Sequence, residues 1–571
     1  MLKALARKGR QLAADPVLRR WLLSHALRST PGEPAFTSHR PPYLGPDWHG
    51  LAPEPPAATF APLPEGEPRR ELVLRLAGET LTLAPGDEKA LMDRPFADTE
   101  TLLSLHRFAW VPLLESGADP RWVGAIWRAW RARYGTPDDG WAWHPYTAAE
   151  RAINLLTWFR RHGVPAPAED TMAVLAAHAP VIAERLEWFG DHHTSNHCAN
   201  NGRGLALLGL ALGMPKAADL GLRILVAEGR RLFRPSGVLR EGSTHYHLLL
   251  ARQWASVWLA ARAAGRPEAG ELERVLTGAL SVLPHLSLPG GMPLVGDISP
   301  DCPPDHLGGL FPGGDAMAGW TGLLPPDDRA ALMAFRDAVA PADAAALAAD
   351  GWLSGRFGPW AGLWHAEPEG WSPMPGHGHQ DCGAPELHYE GEPIFVDPGR
   401  GSYALAGEAD PMVAAASHGG LTADAIDPYP QNRPYYADEF RTRMAGPATL
   451  TADAEGVGLT HQGYRWHHVT IERHWLFQPR RLEILDRIGG HGGHVVTRRL
   501  VTGLAVTMER QAVLLQAPSG RRFRVSAEGA VPTLKPVPLW HAYGESRPGS
   551  LLEFNIPVIV PAECRLVVEV I

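Results

Sequence analysis

Glu386-Leu387-His388-Tyr389-Glu390-Gly391-Glu392-Pro393-Ile394-Phe395-Val396 is the stretch on which the fold class turns. Two short apolar runs flank a charged turn with a central glycine, the signature of a β-hairpin. The same character continues downstream. Residues 469–477 and 481–488 bracket Gln478-Pro479-Arg480, and 494–504, 512–515 and 566–571 are further short runs rich in β-branched residues. Many strands separated by turn signals predict an antiparallel β-sandwich over residues 351–571.

Upstream, from about residue 97 to 347, the apolar period is helical instead. Ile153, Leu156 and Phe159 share a face that stops at Gly163, and Met172, Leu175, Ile182, Leu186 and Phe189 form a run ending at Gly190. Further helices are expected over 204–212, 218–233, 246–264 and 271–283, joined by short Gly/Pro loops that favour antiparallel neighbours. No strict repeat period argues for a solenoid. The reading is a multidomain α and β chain, with an (α/α) toroid over 91–350 ahead of the sandwich. Residues 1–90 form an N-terminal extension, with a helix, a Pro- and Arg-rich wrapping segment and a small hairpin within 71–83.

With 571 residues and 45% hydrophobic composition, the chain is too long for one ordinary core. A net charge of −8 gives no global basic field, which argues against nucleic acid or a membrane surface as partner, so an anionic ligand needs local arginines. Cys198, Cys302, Cys382 and Cys564 are scattered, giving neither a disulfide framework nor a thiolate zinc site. Of the 20 tryptophans many belong to cores, although flat aromatic faces also suit sugar rings. Between Met1 and Leu23, Lys3, Arg7, Lys8, Arg10, Arg19 and Arg20 interrupt every apolar run. No membrane span or signal-peptide core is expected there. As written the chain reads as cytoplasmic, with a periplasmic or exported location open if the start is incomplete; homo-oligomer formation is also open.

Three polar clusters carry the chemistry. In Gly376-His377-Gly378-His379-Gln380-Asp381, histidines two apart in a glycine-rich turn can point opposite ways, one to a metal and one to a substrate. Asp397, in Val396-Asp397-Pro398-Gly399, offers a carboxylate ligand, and His418 a third donor. An ordinary polar loop explains the same spacing. The second cluster runs from Asp191 to Gly202 and includes Asn196 and His197. The third, Arg240-Glu241-Gly242-Ser243-Thr244-His245-Tyr246-His247, opens a helix. Capping by Ser195, Asn196 or Ser243 is the plain alternative for each.

Taken in order, these clusters resemble the heparinase II/III-like polysaccharide lyases. The matching pieces are Asn196-His197, Glu241 to His247, His377 to Asp381, Val396 to Gly399, and Ser417-His418, with Trp143-His144-Pro145-Tyr146, Arg151 and Asn154 also similar to that family's toroid. The likeness spans about residues 90–490. It implies a toroid followed by a sandwich, a structural zinc on His379, Asp397 and His418, and a catalytic group of Asn196, His197, Tyr246 and His377. Gly419-Gly420 after His418 departs from the Asn-Thr common in the family.

The chemistry asks for these residue types. Breaking a 4-linked uronate by β-elimination removes the C5 proton beside an anionic carboxylate. Donors such as Asn196 and His197 can offset the charge that builds. A base takes the proton and an acid protonates the leaving oxygen; Tyr246 and His377 are the candidates, their roles left open. Arg151, Arg203, Arg240 and Arg400 are candidates for gripping substrate carboxylates, with Asn154 and Glu241 beside them, and structural ion pairs are the competing explanation. The implied partner is an acidic polysaccharide. Rival readings are a glycoside hydrolase on this scaffold, needing facing carboxylates such as Glu241 and Asp191; a glycan-binding or assembly protein; and a metallo-β-lactamase-like site from His377-x-His379-x-Asp381, which lacks the following histidine because Cys382 stands there.

Overall fold

The computed structural model describes residues 39–64, 66–115, 117–191, 193–369, 376–404, 410–429 and 446–571, with scattered positions before residue 39. The helix expected at the N-terminus, the loop residues 371–375 and His192 lie largely or wholly outside the described residues.

The small hairpin forms from Leu72–Leu76 and Glu79–Leu83, pairing antiparallel. Helices then dominate up to Ala344–Ala349. Pro145–His162 starts with proline at its first position, where the missing N–H costs nothing, and stops at Gly163 with φ 95°. Asn196–Leu212, Pro215–Leu232, Thr244–Ala263 and Ala269–Val282 follow as successive helices. Two expectations shift. Ala168–Glu184 ends well before Gly190, and the helix expected from 204 already begins at Asn196. The Asn196-His197 pair is therefore the first turn of a helix and not a loop between helices.

Thirteen of the 20 tryptophans are buried, so most of them are packing and not sugar platforms. Trp127 and Trp130 stack with centroids 5.3 Å apart inside the first helical core. Arg151 lies over Trp130 at 4.0 Å and Trp143 at 5.0 Å.

The first strand of the second half, Trp352–Phe357, starts three residues after the last helix. It joins Trp360–His365, Pro385–Tyr389 and Glu392–Phe395 in a four-stranded antiparallel sheet that contains the expected hairpin. A ten-stranded sheet packs against it around Trp360, Trp364, Trp475, Leu482 and Phe523. The runs expected at 481–488 and 494–504 are one strand, Arg481–Thr502, paired with the 26-residue strand Glu545–Val570. A register shift between Ile488 and Gly492 absorbs the glycines that suggested a break. The four cysteines are buried and free. No helix among the described residues is long and apolar enough to cross a membrane.

Candidate active site

Three glycine-containing turns meet where the two halves touch. Gly242 holds φ 69°, and a Cβ there would come within 2.9 Å of the Gly378 Cα. Gly296 holds φ 79°, and a Cβ would fall 2.6 Å from the Gly242 carbonyl and 2.7 Å from that of His377. Glycine is required at both for conformation and for close approach. Backbone bonds lock the junction: His377 N donates to Glu241 O at 3.2 Å, and Asp297 N to His377 O at 2.9 Å. Ser243 caps the following helix, its hydroxyl accepting from Tyr246 N at 3.1 Å, a contribution of about 1 kcal/mol. The cap and the candidate acid/base residue Tyr246 thus share this segment. Ser195 makes no such side-chain cap.

The junction brings Tyr246 and His377 face to face, with ring centroids 3.4 Å apart and planes 12° apart. The Tyr246 hydroxyl lies 3.0 Å from that of Tyr403. Burial, with Asp297 and Asp301 nearby, pushes the Tyr246 phenol well above its ordinary range, so it stays protonated.

Asp297 holds the histidines. Its Oδ2 accepts from His377 Nδ1 at 3.1 Å and its Oδ1 from His379 Nε2 at 2.9 Å, while Arg400 NH1 approaches both oxygens at 3.3 and 3.4 Å. Burial alone would raise this carboxyl, but the two histidine bonds hold it well below the usual range. Sequence reasoning missed Asp297, as it missed Tyr403. A single aspartate in Val295-Gly296-Asp297-Ile298 carries no motif, and only the adjacent glycine hints at a special turn.

Asn196 and His197 open the next helix. Asn196 is buried, and neither its amide oxygen nor its amide nitrogen has a hydrogen-bond partner. His197 Nδ1 bonds Glu187 Oε1 at 2.7 Å, a second partner the sequence did not reveal, and its ring rests 4.5 Å from that of Tyr146. Burial works against the imidazolium, but the Glu187 carboxylate outweighs it and raises the His197 pKa. Glu187 itself drops to about 2: burial opposes ionisation, and His197 overcomes it.

Glu241 joins the two groups. It has no solvent exposure, its Oε2 lies 3.6 Å from His377 Nε2, and burial raises its carboxyl against the pull of His377, Arg231 and His197. Glu241 thus faces His377 beyond hydrogen-bond distance and has no solvent exposure, where the sequence reading placed it beside substrate. Asp191, the other carboxylate weighed for a hydrolase pair, is exposed. Asp381 bonds His365 at 3.2 Å, so the third member of His377-x-His379-x-Asp381 serves the sandwich.

Three of the substrate candidates lie inside the toroid. Arg151 donates to His178 and to the His106 and Ala142 carbonyls, Asn154 donates to the Arg107 carbonyl, and Arg203 pairs with Glu150. All three are buried, so they hold the scaffold and do not grip substrate. Arg400 is likewise spent, donating from Nε to Asp410 at 2.8 Å besides reaching Asp297. Arg240 is half-buried, near Arg234 and among Glu369, Glu367 and Asp350.

His379, Asp397 and His418 converge, their ligand atoms all within 4.8 Å of one another and all three residues buried. His418 donates from Nε2 to the Met412 carbonyl at 2.8 Å and faces Asp397 Oδ2 with Nδ1 at 2.7 Å. His379, its Nε2 given to Asp297, keeps a buried Nδ1 without a partner. Two imidazole nitrogens, each oriented by a bond on the opposite ring nitrogen, plus one carboxylate are a donor set that fits zinc.

Residues 343–560 match the family model described as heparinase II/III-like, C-terminal. No curated protein sequence matches the chain. Among solved structures the chain is similar to heparinase III, at 15% identity over 84% of this chain and 78% of that one, with a TM-score of 0.62. It is also similar to a mutant of heparan sulfate lyase HepC from Pedobacter heparinus, at 16% identity over the same shares and a TM-score of 0.54. At these identities the likeness is one of fold, a helical toroid followed by antiparallel sheets.

Proposed function

We propose that the chain is a heparinase II/III-like polysaccharide lyase that cleaves a uronic-acid-containing acidic glycan by β-elimination, a reading supported by the match of residues 343–560 to that family's C-terminal part and by the fold shared with heparinase III. The observation that carries this reading is the Tyr246–His377 stack, a protonated phenol against an imidazole whose Nδ1–H is tied to Asp297. With that nitrogen committed as donor, Nε2 is the one left to accept a proton.

In the proposed sequence, His377 Nε2 takes the C5 proton and the C5–H electron pair builds negative charge toward the uronate carboxylate. The Asn196 amide and the His197 imidazolium offset that charge. The C4–O bond then breaks, its electrons leaving on the glycosidic oxygen, which takes the Tyr246 proton. The product carries a C4–C5 double bond, and the proton on His377 restores Tyr246 through solvent.

A zinc ion held by His379, Asp397 and His418 would supply structural cross-linking between the hairpin and the 411–418 loop. Asp297 would connect that centre to His377, so that fixing His379 also fixes the base. The three donor side chains are shielded from solvent, His379 and His418 at 0% and Asp397 at 3% exposure, which supports a structural role.

The test is a panel of uronate polysaccharides with product analysis by mass. Elimination gives fragments whose new non-reducing ends lack one water relative to hydrolysis products. Saturated ends would place the chemistry with hydrolases.

A further inference from the structure

The helix that carries Asn196 and His197 begins without a side-chain cap of its own. Ser195 stands at its N-cap position, yet its hydroxyl accepts nothing from the first turn. The Asn196 amide has no partner at its oxygen or its nitrogen, so no side-chain bond fixes its aim. Groups that offset developing charge work only when they are held in place beforehand. The backbone entering this turn must therefore be held from elsewhere.

Arg231, at the end of the neighbouring helix Pro215–Leu232, supplies that hold. Its guanidinium donates to the Thr194 carbonyl at 2.7 Å and to that of Ser195 at 3.4 Å. The same group lies over the Trp188 ring at 5.2 Å. Trp188 follows Glu187, the carboxylate partner of His197. Glu187 is locked in turn by Asn201, which accepts from Glu187 N and donates to Oε2, each at 2.9 Å. One guanidinium thus meets both ends of residues 188–195, the segment that joins Glu187 to the helix of His197.

In the sequence, Glu228 and Arg231 look like an ordinary i,i+3 pair on a helix surface. In the fold they turn inward. Glu228 has no side-chain exposure and Arg231 17%, and Arg231 Nε donates to Glu228 Oε2 at 3.0 Å. Burial works against the charge on Arg231, but the Glu228 carboxylate outweighs it, so the guanidinium stays protonated. Behind the pair stands Tyr43 of the N-terminal extension. Its hydroxyl donates to Glu228 Oε1 at 3.1 Å and lies 3.3 Å from Cys198 Sγ, and its ring meets Trp188 edge-on at 5.9 Å.

We propose that Arg231, backed by Glu228 and Tyr43, is a positioning residue that sets the first turn of the Asn196 helix, and with it the aim of Asn196 and the contact between His197 and Glu187. Lysine cannot take its place, because a single ammonium lacks the planar fork that spans two carbonyls and a carboxylate. The inference rests on the lyase reading for what Asn196 and His197 do, and it makes the N-terminal extension part of the working site.

The experiment uses the full chain with its histidine rings isotope-labelled, the His197 signal being assigned by its loss in His197→Gln. In Arg231→Lys the His197 titration midpoint is expected to fall from its raised value toward 6.5, because the contact with Glu187 loosens. On a uronate polysaccharide, kcat should fall by roughly 10- to 100-fold, the scale of a small misplacement of catalytic groups, with KM unchanged and melting near that of wild type. Tyr43→Phe should move the same readouts in the same direction by less, and it decides the matter if Arg231→Lys does not fold. A wild-type His197 midpoint in the folded variant, an unchanged kcat, or a loss carried by KM alone would overturn the positioning role. If wild type forms no unsaturated product from any uronate glycan, the lyase reading falls, and the His197 midpoint alone decides whether Arg231 positions this turn.

Discussion

Tyr246 and His377 stack with ring centroids 3.4 Å apart although 131 positions of chain separate them, one opening a toroid helix and the other in a turn of the sheet half. The stack depends on backbone contact between Gly242 and Gly378, which no larger residue at 242 would permit. The helical and sheet parts of the chain thus bring these two rings together, and the proposed acid/base reading of the pair has several measurable consequences.

Asp297 is expected to be the residue on which both histidines depend. Asp297→Asn removes a buried charge that His377, His379 and Arg400 share. Breaking a buried ion pair from one side costs about 3–5 kcal/mol, so urea denaturation should show a loss of that order together with loss of turnover. Unchanged stability would mean that His377, His379 and Arg400 find other acceptors.

The metal centre should separate His377 from His379. His379→Ala should lose zinc, lower the melting temperature and reduce activity, because its free Nδ1 is one of the three converging donors. His377→Ala should retain zinc and near-normal melting while losing catalysis. Metal analysis and thermal melts of the two variants check this, and the reverse pattern would exchange their roles.

The Glu187–His197 pair predicts a pH window. His197 is raised above 6.5 in the folded chain, so its stabilising contribution is complete below 6.5 and fades as pH rises through the raised value. Glu187 is lowered from 4.5 to about 2, so its contribution is present above 4.5 and fades as pH falls toward 2. The stability difference between wild type and Glu187→Gln should therefore be greatest between 4.5 and 6.5 and shrink on either side. The same variant should move the alkaline fall in kcat/KM to lower pH, as an imidazolium without its carboxylate loses its proton sooner.

Much of this architecture is legible from local pattern. The Glu386–Val396 hairpin, the helical period before it and the glycine stop at 163 each follow from a few neighbouring residues, and the corresponding elements form. The strand Arg481–Thr502 reads as two because glycines normally end strands, and here pairing with Glu545–Val570 carries the ladder across them. Tyr246 and His377 stood out because each sits in a dense polar cluster, and the structure brings their rings together. Asp297 was not, since its partners lie 80 or more positions away and its own neighbours are apolar or glycine. Arg151 and Arg203 mislead for a related reason. An arginine on a helix shows its charge in the sequence, but whether it faces a cleft or a layer of tryptophans depends on the neighbouring helices, and these two are fully buried.

The central claim, an elimination with Tyr246 as proton donor, is tested most directly by one rate comparison. Ultraviolet absorbance of the new C4–C5 double bond is followed for wild type and Tyr246→Phe on the best uronate substrate, with melting curves to confirm that the variant folds. The account predicts a rise in absorbance for wild type and a loss of roughly 100-fold or more in the variant, the scale of a removed general acid. Full activity in Tyr246→Phe would contradict it.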